Sequence, residues 1–262
     1  MYSEEHLKYI KNLKKEKIII FIFRLLIVIS FLGLWQLLVS LKVINSFIFS
    51  SPINIFNTII SLIKNNNFFT HIYITIYEVL LSFIFTTILS IIIASFLWLS
   101  NRLSKILDPF LTIFNSLPKV SLGPIIIIWF GSNIKSIIIM AILITLMTSI
   151  ISIYQGFKEV DNNLIVLMKS LKASKKQIFF KLILPSNYSN IINTLKINIS
   201  LSLIGVIMGE LLVSKKGIGY LIMYGSQVFN LNLVMTGIIL LSLVSTFIYY
   251  LIIVIEKKLI ND

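Results

Sequence analysis

A chain of 262 residues that is 57% hydrophobic and only 13% charged, where an ordinary soluble domain carries roughly 25% charged residues, is excluded from the soluble globular class. Lys+Arg 23 against Asp+Glu 10 leaves a formal net charge of +13, which has to sit in the connections between apolar runs. The absence of cysteine excludes a disulfide framework and thiolate metal sites, and two histidines leave little material for an imidazole metal centre or a catalytic triad.

Composition therefore predicts an all-α membrane protein and no enzyme. A spanning helix needs about 20 apolar residues, because it rises about 1.5 Å per residue through about 30 Å of hydrocarbon. The basic segment 1–17 holds Lys8, Lys11, Lys14, Lys15 and Lys17 and precedes the first run, 18–41, which only Arg24 interrupts. That run is longer than a signal-peptide core and lacks a small-residue cleavage site after it, so a retained anchor is expected. The second run, 72–99, contains Glu78. A third, 103–130, is broken by Pro109, Pro118, Gly123 and Pro124, and is expected inside the bundle, where neighbours can satisfy the backbone groups that prolines free. Runs 134–154, 188–213 and 233–255 complete six transmembrane helices in one domain, 18–262.

Charge orients these spans. The N-terminal lysines, Arg102, Lys105 and Lys119, the lysines from Lys158 to Lys181, and Lys257 with Lys258 all fall on one side, and they outnumber Lys42, Lys64, Lys135, Lys215 and Lys216 on the other. The positive-inside rule then places both termini in the cytoplasm of a multi-pass cell-membrane protein. The basic N-terminus reads as a topology signal that touches anionic lipid, without the aromatic interleaving of a nucleic-acid site. Trp98, Trp129, Tyr249 and Tyr250 near span ends read as interfacial anchors.

The connection 155–185 is far longer than a helix hairpin needs. Leu164, Ile165, Leu167, Met168 and Leu171 fall on helical spacing opposite Asn162, Asn163, Lys169 and Lys172, and a second short helix is expected from Lys175 to Leu184, stopped by Pro185. An amphipathic helix at a membrane mouth offers its apolar face to lipid or to a groove in a partner.

The ending Leu182-Ile183-Leu184-Pro185 resembles the end of the cytoplasmic Glu-Ala-Ala loop of binding-protein-dependent ABC transporter permeases. In that alignment Val166, Leu167 and Met168 stand at the Glu-Ala-Ala positions and Lys172 at a glycine. The glycine permits a left-handed turn between two helices, which lysine adopts at a cost of about 1 kcal/mol, so a turn rebuilt around Ala173 and Ser174 is expected. Flanking segments extend the likeness: LPKVSLGPIIIIWFG (Leu117 to Gly131), GFKEVDNNLI (Gly156 to Ile165) and GELLVSKKGIGYLI (Gly209 to Ile222) resemble the nitrate, sulfonate, taurine and thiamine-precursor branch in collinear order.

The resemblance implies a type I ABC importer-like fold and two copies of the chain. It also implies two cytoplasmic ATPase subunits docked on the coupling helix and an extracytoplasmic solute-binding protein or lipoprotein. Docking falls to Leu164, Val166, Leu167, Met168, Leu171, Lys172, Ala173 and Pro185. No Walker A sequence occurs in the chain, so ATP and Mg belong to the partner ATPase. The implied cargo is a small polar solute, anionic or heterocyclic.

Charged groups inside a span are functional candidates by default. Glu78 is expected to face a wet mouth or pair with a base, and Glu210 to take a structural or gating role. Thr145, Thr148, Ser149 and Ser152 form one stripe of the fourth run, and Ser200 and Ser202 with Gly205 and Gly209 line the fifth. Such stripes serve close helix packing or a solute pathway. Two other readings stay open: an ion-coupled secondary carrier, and a membrane anchor that recruits a cytoplasmic partner.

Overall fold

The computed structural model describes residues 4–65 and 67–260; positions 1–3, 66, 261 and 262, and the side chains of 4–10, 12, 14 and 255–260, among them Lys8, Lys14, Lys257 and Lys258, lie outside it. The elements in order are α1 (Glu4–Ser40), α2 (Ser46–Phe49), α3 (Pro52–Lys64), α4 (Phe68–Leu99) and α5 (Asn101–Ser116). A 3-10 turn (Lys119–Leu122) leads to α6 (Gly123–Phe130), α7 (Ile134–Lys158), α8 (Asn162–Ser170) and α9 (Lys175–Ile178). A π-helical segment (Phe179–Ile183) then joins α10 (Leu184–Ser186), α11 (Tyr188–Val213), α12 (Ile218–Gln227) and α13 (Leu231–Ile260).

Five helices are long and apolar enough to cross a membrane, and the pair Asn101–Ser116 and Lys119–Phe130, bent by 88°, is apolar enough to be either a broken sixth span or a re-entrant segment. The chain is thus an all-helical multi-pass membrane protein. From Glu4 onward the basic N-terminal stretch is helical, and α1 runs without interruption from Glu4 into the first apolar run. Sequence reading left α3 and α12 unassigned.

The core sits where α4, α7 and α11 pack together. Half of the most apolar window of α7 and of α11 is buried, against none of that of α1, which touches the rest mainly through α3. Close approach explains the α7–α11 seam: a Cβ on Gly205 would stand 2.5 Å from Ala141 Cα, so only glycine fits there. On α4, His71, Thr75, Glu78, Ser82, Thr86 and Ser90 are all buried. Their spacing of three and four residues makes a continuous polar stripe directed into the bundle. In lipid this is the expected arrangement, because a polar group facing hydrocarbon has no partner.

The broken span does not lie inside the bundle as expected. No residue of α5 is buried, and α6 buries only Gly123 and Ile126. The physical reason is local satisfaction of the break, where the Ser121 N–H and hydroxyl both donate to the Pro118 carbonyl, at 2.8 and 2.7 Å. The segment runs antiparallel along α7: Ser104 hydrogen-bonds Tyr154, Asn115 Oδ1 accepts from Thr148, and Ser136 donates to the Gly131 carbonyl. The bundle therefore has a loop end, where α4 and α7 finish, and a far end, where α11 turns into α12.

Candidate functional site

At the loop end, Asp161 caps α8, accepting from the Asn163 N–H at 2.8 Å. Leu164, Val166, Leu167 and Leu171 are exposed, 43%, 59%, 56% and 71% respectively, while Ile165 and Met168 turn back onto the cluster below. The helix ends in a Schellman pair: the Lys172 N–H donates to Lys169 O at 2.9 Å and the Ala173 N–H to Met168 O at 3.0 Å. Lys172 itself holds φ 58. The turn is therefore not rebuilt around Ala173 and Ser174; the lysine adopts the left-handed conformation in the glycine's place. Ser174 instead starts α9 through a capping box with Gln177.

Pro185 does not stop the second loop helix either. The π turn lets the Leu184 N–H reach Phe179 O, one residue further back than an α-helix would. A proline next in line then leaves the helical run intact as far as Ser186. Ile178, Phe179 and Ile183 are fully buried. Phe179 packs edge-on against Phe157 at 5.4 Å and tilted against Trp98 at the same distance. The loop is thereby anchored to the ends of α4 and α7 by aromatic contacts. Of the eight docking candidates, Leu164, Val166, Leu167, Leu171, Lys172 and Pro185 are exposed, whereas Met168 and Ala173 pack partly inward.

At the far end, the Glu210 carboxylate organises the turn between α11 and α12. Its Oε1 accepts from the Thr75 hydroxyl at 2.6 Å and its Oε2 from the Gly219 N–H at 2.5 Å. Thr75 Oγ1 in turn accepts from the Ile218 N–H at 2.9 Å, and His71 Nδ1 from the Gly217 N–H at 2.9 Å. Gly217 sits at φ 113, and a Cβ there would fall 2.3 Å from the Glu210 carboxyl. Glu78 is the neighbour of Glu210 and is fully buried, and no basic group pairs with it among the described residues. Its oxygens are sealed from solvent and complete no hydrogen bond of ordinary geometry. Glu78 backs a cavity of about 560 Å³ whose rim includes Lys135, Lys215 and Lys216.

Between the ends, the hydroxyl stripes divide. Thr145, Ser149 and Ser152 face the seam: Ser149 hydrogen-bonds Asn198 Oδ1, Ser152 pairs with Thr194 at 2.9 Å, and Thr145 donates to Ala141 O at 2.7 Å. Ser202 is buried with no partner, and Ser200 is exposed, donating to Lys196 O at 3.2 Å. Thr148 turns away from the seam, toward Asn115. Sequence reading missed Asn198, Thr194 and the α4 stripe; the three-and-four spacing of Thr75, Ser82, Thr86 and Ser90 was the available signal. It also missed the contact of Lys119, whose Nζ donates to the Ile144 carbonyl, within α7.

A helical bundle with a bent span, a rigidly anchored cap of exposed leucines on one end and a buried polar turn at the other defines a membrane permease subunit. The chain belongs to the family of binding-protein-dependent transport system inner membrane components, whose model matches residues 86–261. It is similar to the aliphatic sulfonates transport permease protein SsuC of Bacillus subtilis (strain 168), 28% identical over 88% of this chain and 83% of that protein. The formylaminopyrimidine transport permease protein ThiX of Halalkalibacterium halodurans is also 28% identical, over 66% of this chain and 69% of that one. In fold it is similar to the inward-facing methionine ABC transporter MetNI. The TM-score is 0.62 at 16% identity, covering 73% of this chain and 93% of that chain. The chain is thus an ABC transporter permease with a type I importer-like fold.

Proposed function

We propose that two copies of this chain form the membrane path of an ATP-driven importer, with both termini and the loop end in the cytoplasm. The carrying observation is α8. Its leucines stand in the open on a helix that Ile178, Phe179 and Ile183 fix to the ends of α4 and α7, so a force on the helix moves the spans. Two cytoplasmic ATPase subunits, holding ATP and Mg, dock on Leu164, Val166, Leu167 and Leu171, with Lys172 at the rim and Met168, Ala173 and Pro185 supporting the loop. Their closure rocks the bundle between inward- and outward-open arrangements. An extracytoplasmic binding protein or lipoprotein delivers the solute at the far end.

The cargo in this reading is a small polar solute, anionic or heterocyclic: a sulfonate such as taurine, nitrate, or a thiamine precursor. The names of the sulfonate and formylaminopyrimidine relatives support that class, and so do the three lysines at the rim of the far-end cavity. Glu78 and Glu210 hold the far-end turn as a gate. Thr145, Ser149, Ser152 and Ser202 keep the helices packed while Thr148 and Ser200 remain open to the pathway. Family membership favours this over a self-sufficient ion-coupled carrier or a passive anchor.

The test is co-purification in mild detergent from the native membrane. The wild-type chain is expected to bring down an ATPase with ATP hydrolysis activity, and Leu167→Asp with Leu171→Asp to insert normally and bring down none. An unchanged yield of ATPase with the charged pair would refute the coupling assignment.

A further inference from the structure

We propose that Lys119, with Asn115 and Thr148, is an anion-recognising station halfway across the membrane, which takes the anionic group of the transported solute. The inference deepens the importer reading and rests on it for the identity of the cargo, but its geometry stands alone.

Depth comes first. Ile144, whose carbonyl accepts from Lys119 Nζ at 3.2 Å, lies about 15 Å along α7 from the far end and about 21 Å from the loop end, at about 1.5 Å per residue. The same depth follows from the broken span, which passes Tyr154 at Ser104, Thr148 at Asn115 and Ile144 at Lys119 before reaching the far end at Gly131. Lys119 sits at the 88° bend itself, in the kind of helix break that transporters place at a midplane binding site. A cation at that depth costs at least a few kcal/mol, so its retention calls for a role.

The hydrogen-bond inventory says which role. Lys119 Nζ has two acceptors, Asn115 Oδ1 at 3.1 Å and Ile144 O. An ammonium carries three protons, so one is left, and among the described residues no carboxylate pairs with it. Asn115 Oδ1 also accepts from the Thr148 hydroxyl at 3.0 Å. Two donors therefore fix the amide with its oxygen inward, and its Nδ2 protons remain to donate. Every unspent hydrogen-bonding capacity of the two nitrogen groups is a donor, and the net charge is one positive. That array complements a sulfonate, carboxylate, phosphate or nitrate oxygen and rejects a cation. A single lysine with neutral neighbours also binds weakly, as a point charge without a bidentate fork, which suits a station that must release.

The chain contains no cysteine, so Thr148→Cys gives one thiol at the station. The probes are two methanethiosulfonates of similar size, one ending in a sulfonate and one in a trimethylammonium, applied to the full chain in membranes. With Lys119 present the sulfonate reagent is expected to react in preference, and methanesulfonate to protect the thiol where tetramethylammonium does not. Lys119→Gln should lower the anion-over-cation rate ratio by about tenfold or more, and Lys119→Arg should retain it. A ratio unchanged by Lys119→Gln, a thiol unreactive to both reagents, or equal protection by both ions would overturn the proposal. Should Lys119→Gln fail to fold, the protection experiment in the Lys119 background decides alone. None of these readings needs the ATPase, so their failure is distinct from failed co-purification, which would sink the importer reading instead.

Discussion

The two ends of the bundle treat exposure and charge in opposite ways. At the loop end, Leu167 and Leu171 stand 56% and 71% exposed on a turn whose lysine holds a left-handed backbone. At the far end, Glu210 is 1% exposed and satisfied by two groups from other elements, with Gly217 providing room for its carboxylate. An apolar side chain left in water is tolerated where a partner is to cover it, and a buried carboxylate where every donor around it is matched. The first arrangement fits the docking surface proposed above, and the second fits the proposed gate, a turn tied to α4 by buried hydrogen bonds.

The far end should accordingly be the more fragile. Glu210→Ala would strand the Thr75 hydroxyl and the Gly219 N–H, both buried, and should cost about 2–5 kcal/mol. It would show as a lowered Tm of the solubilised protein and a poor yield of folded chain. Next comes Gly217→Ala, where a Cβ meets the carboxylate at 2.3 Å in a backbone region closed to most side chains; about 2 kcal/mol or more is expected, read the same way. Should both variants melt like wild type, the turn is not held by this network and the contrast between the ends fails. In the seam, Ser149→Ala removes the donor to Asn198 and should cost less, about 1 kcal/mol, since hydrogen bonds between membrane helices are individually modest.

The contrast also divides what sequence could reveal. The α8 helix was legible because leucines at helical spacing beside lysines mark an amphipathic helix, though not whether lipid or a partner covers it nor that Ile165 and Met168 turn inward, and Glu210 was legible as a charge inside an apolar run. The rest of its network was not: Thr75 is 135 residues from Glu210, and His71 is 146 residues from Gly217, whose N–H it accepts, and nothing local marks either. Pro185 was misread because a π turn, invisible in composition, absorbs the break that a proline otherwise makes. The contact of Lys119 was hidden for a related reason: a charge count reads a lysine outside an apolar run as part of a connection, and nothing local shows that the bend of 88° brings its Nζ to the Ile144 carbonyl of α7.

The smallest expected effect concerns Lys172, which stands where the family pattern has glycine. Lys172 holds φ 58 at the C′ position of a Schellman turn, where glycine is the unstrained choice. Its side chain is exposed and hydrogen-bonds nothing among the described residues. Lys172→Gly should therefore relieve about 1 kcal/mol of backbone strain, less a few tenths for glycine's extra freedom in the unfolded chain, and raise stability slightly. Lys172→Ala keeps the Cβ and should give no gain, so the two variants separate backbone strain from loss of charge. Co-purification of the ATPase sharpens the reading further. If Lys172→Gly stabilises the chain and leaves ATPase yield unchanged, the lysine only fills a turn. If ATPase yield falls several-fold while stability rises, the ammonium makes its own contact at the rim of the docking surface, and the strain is retained for that contact.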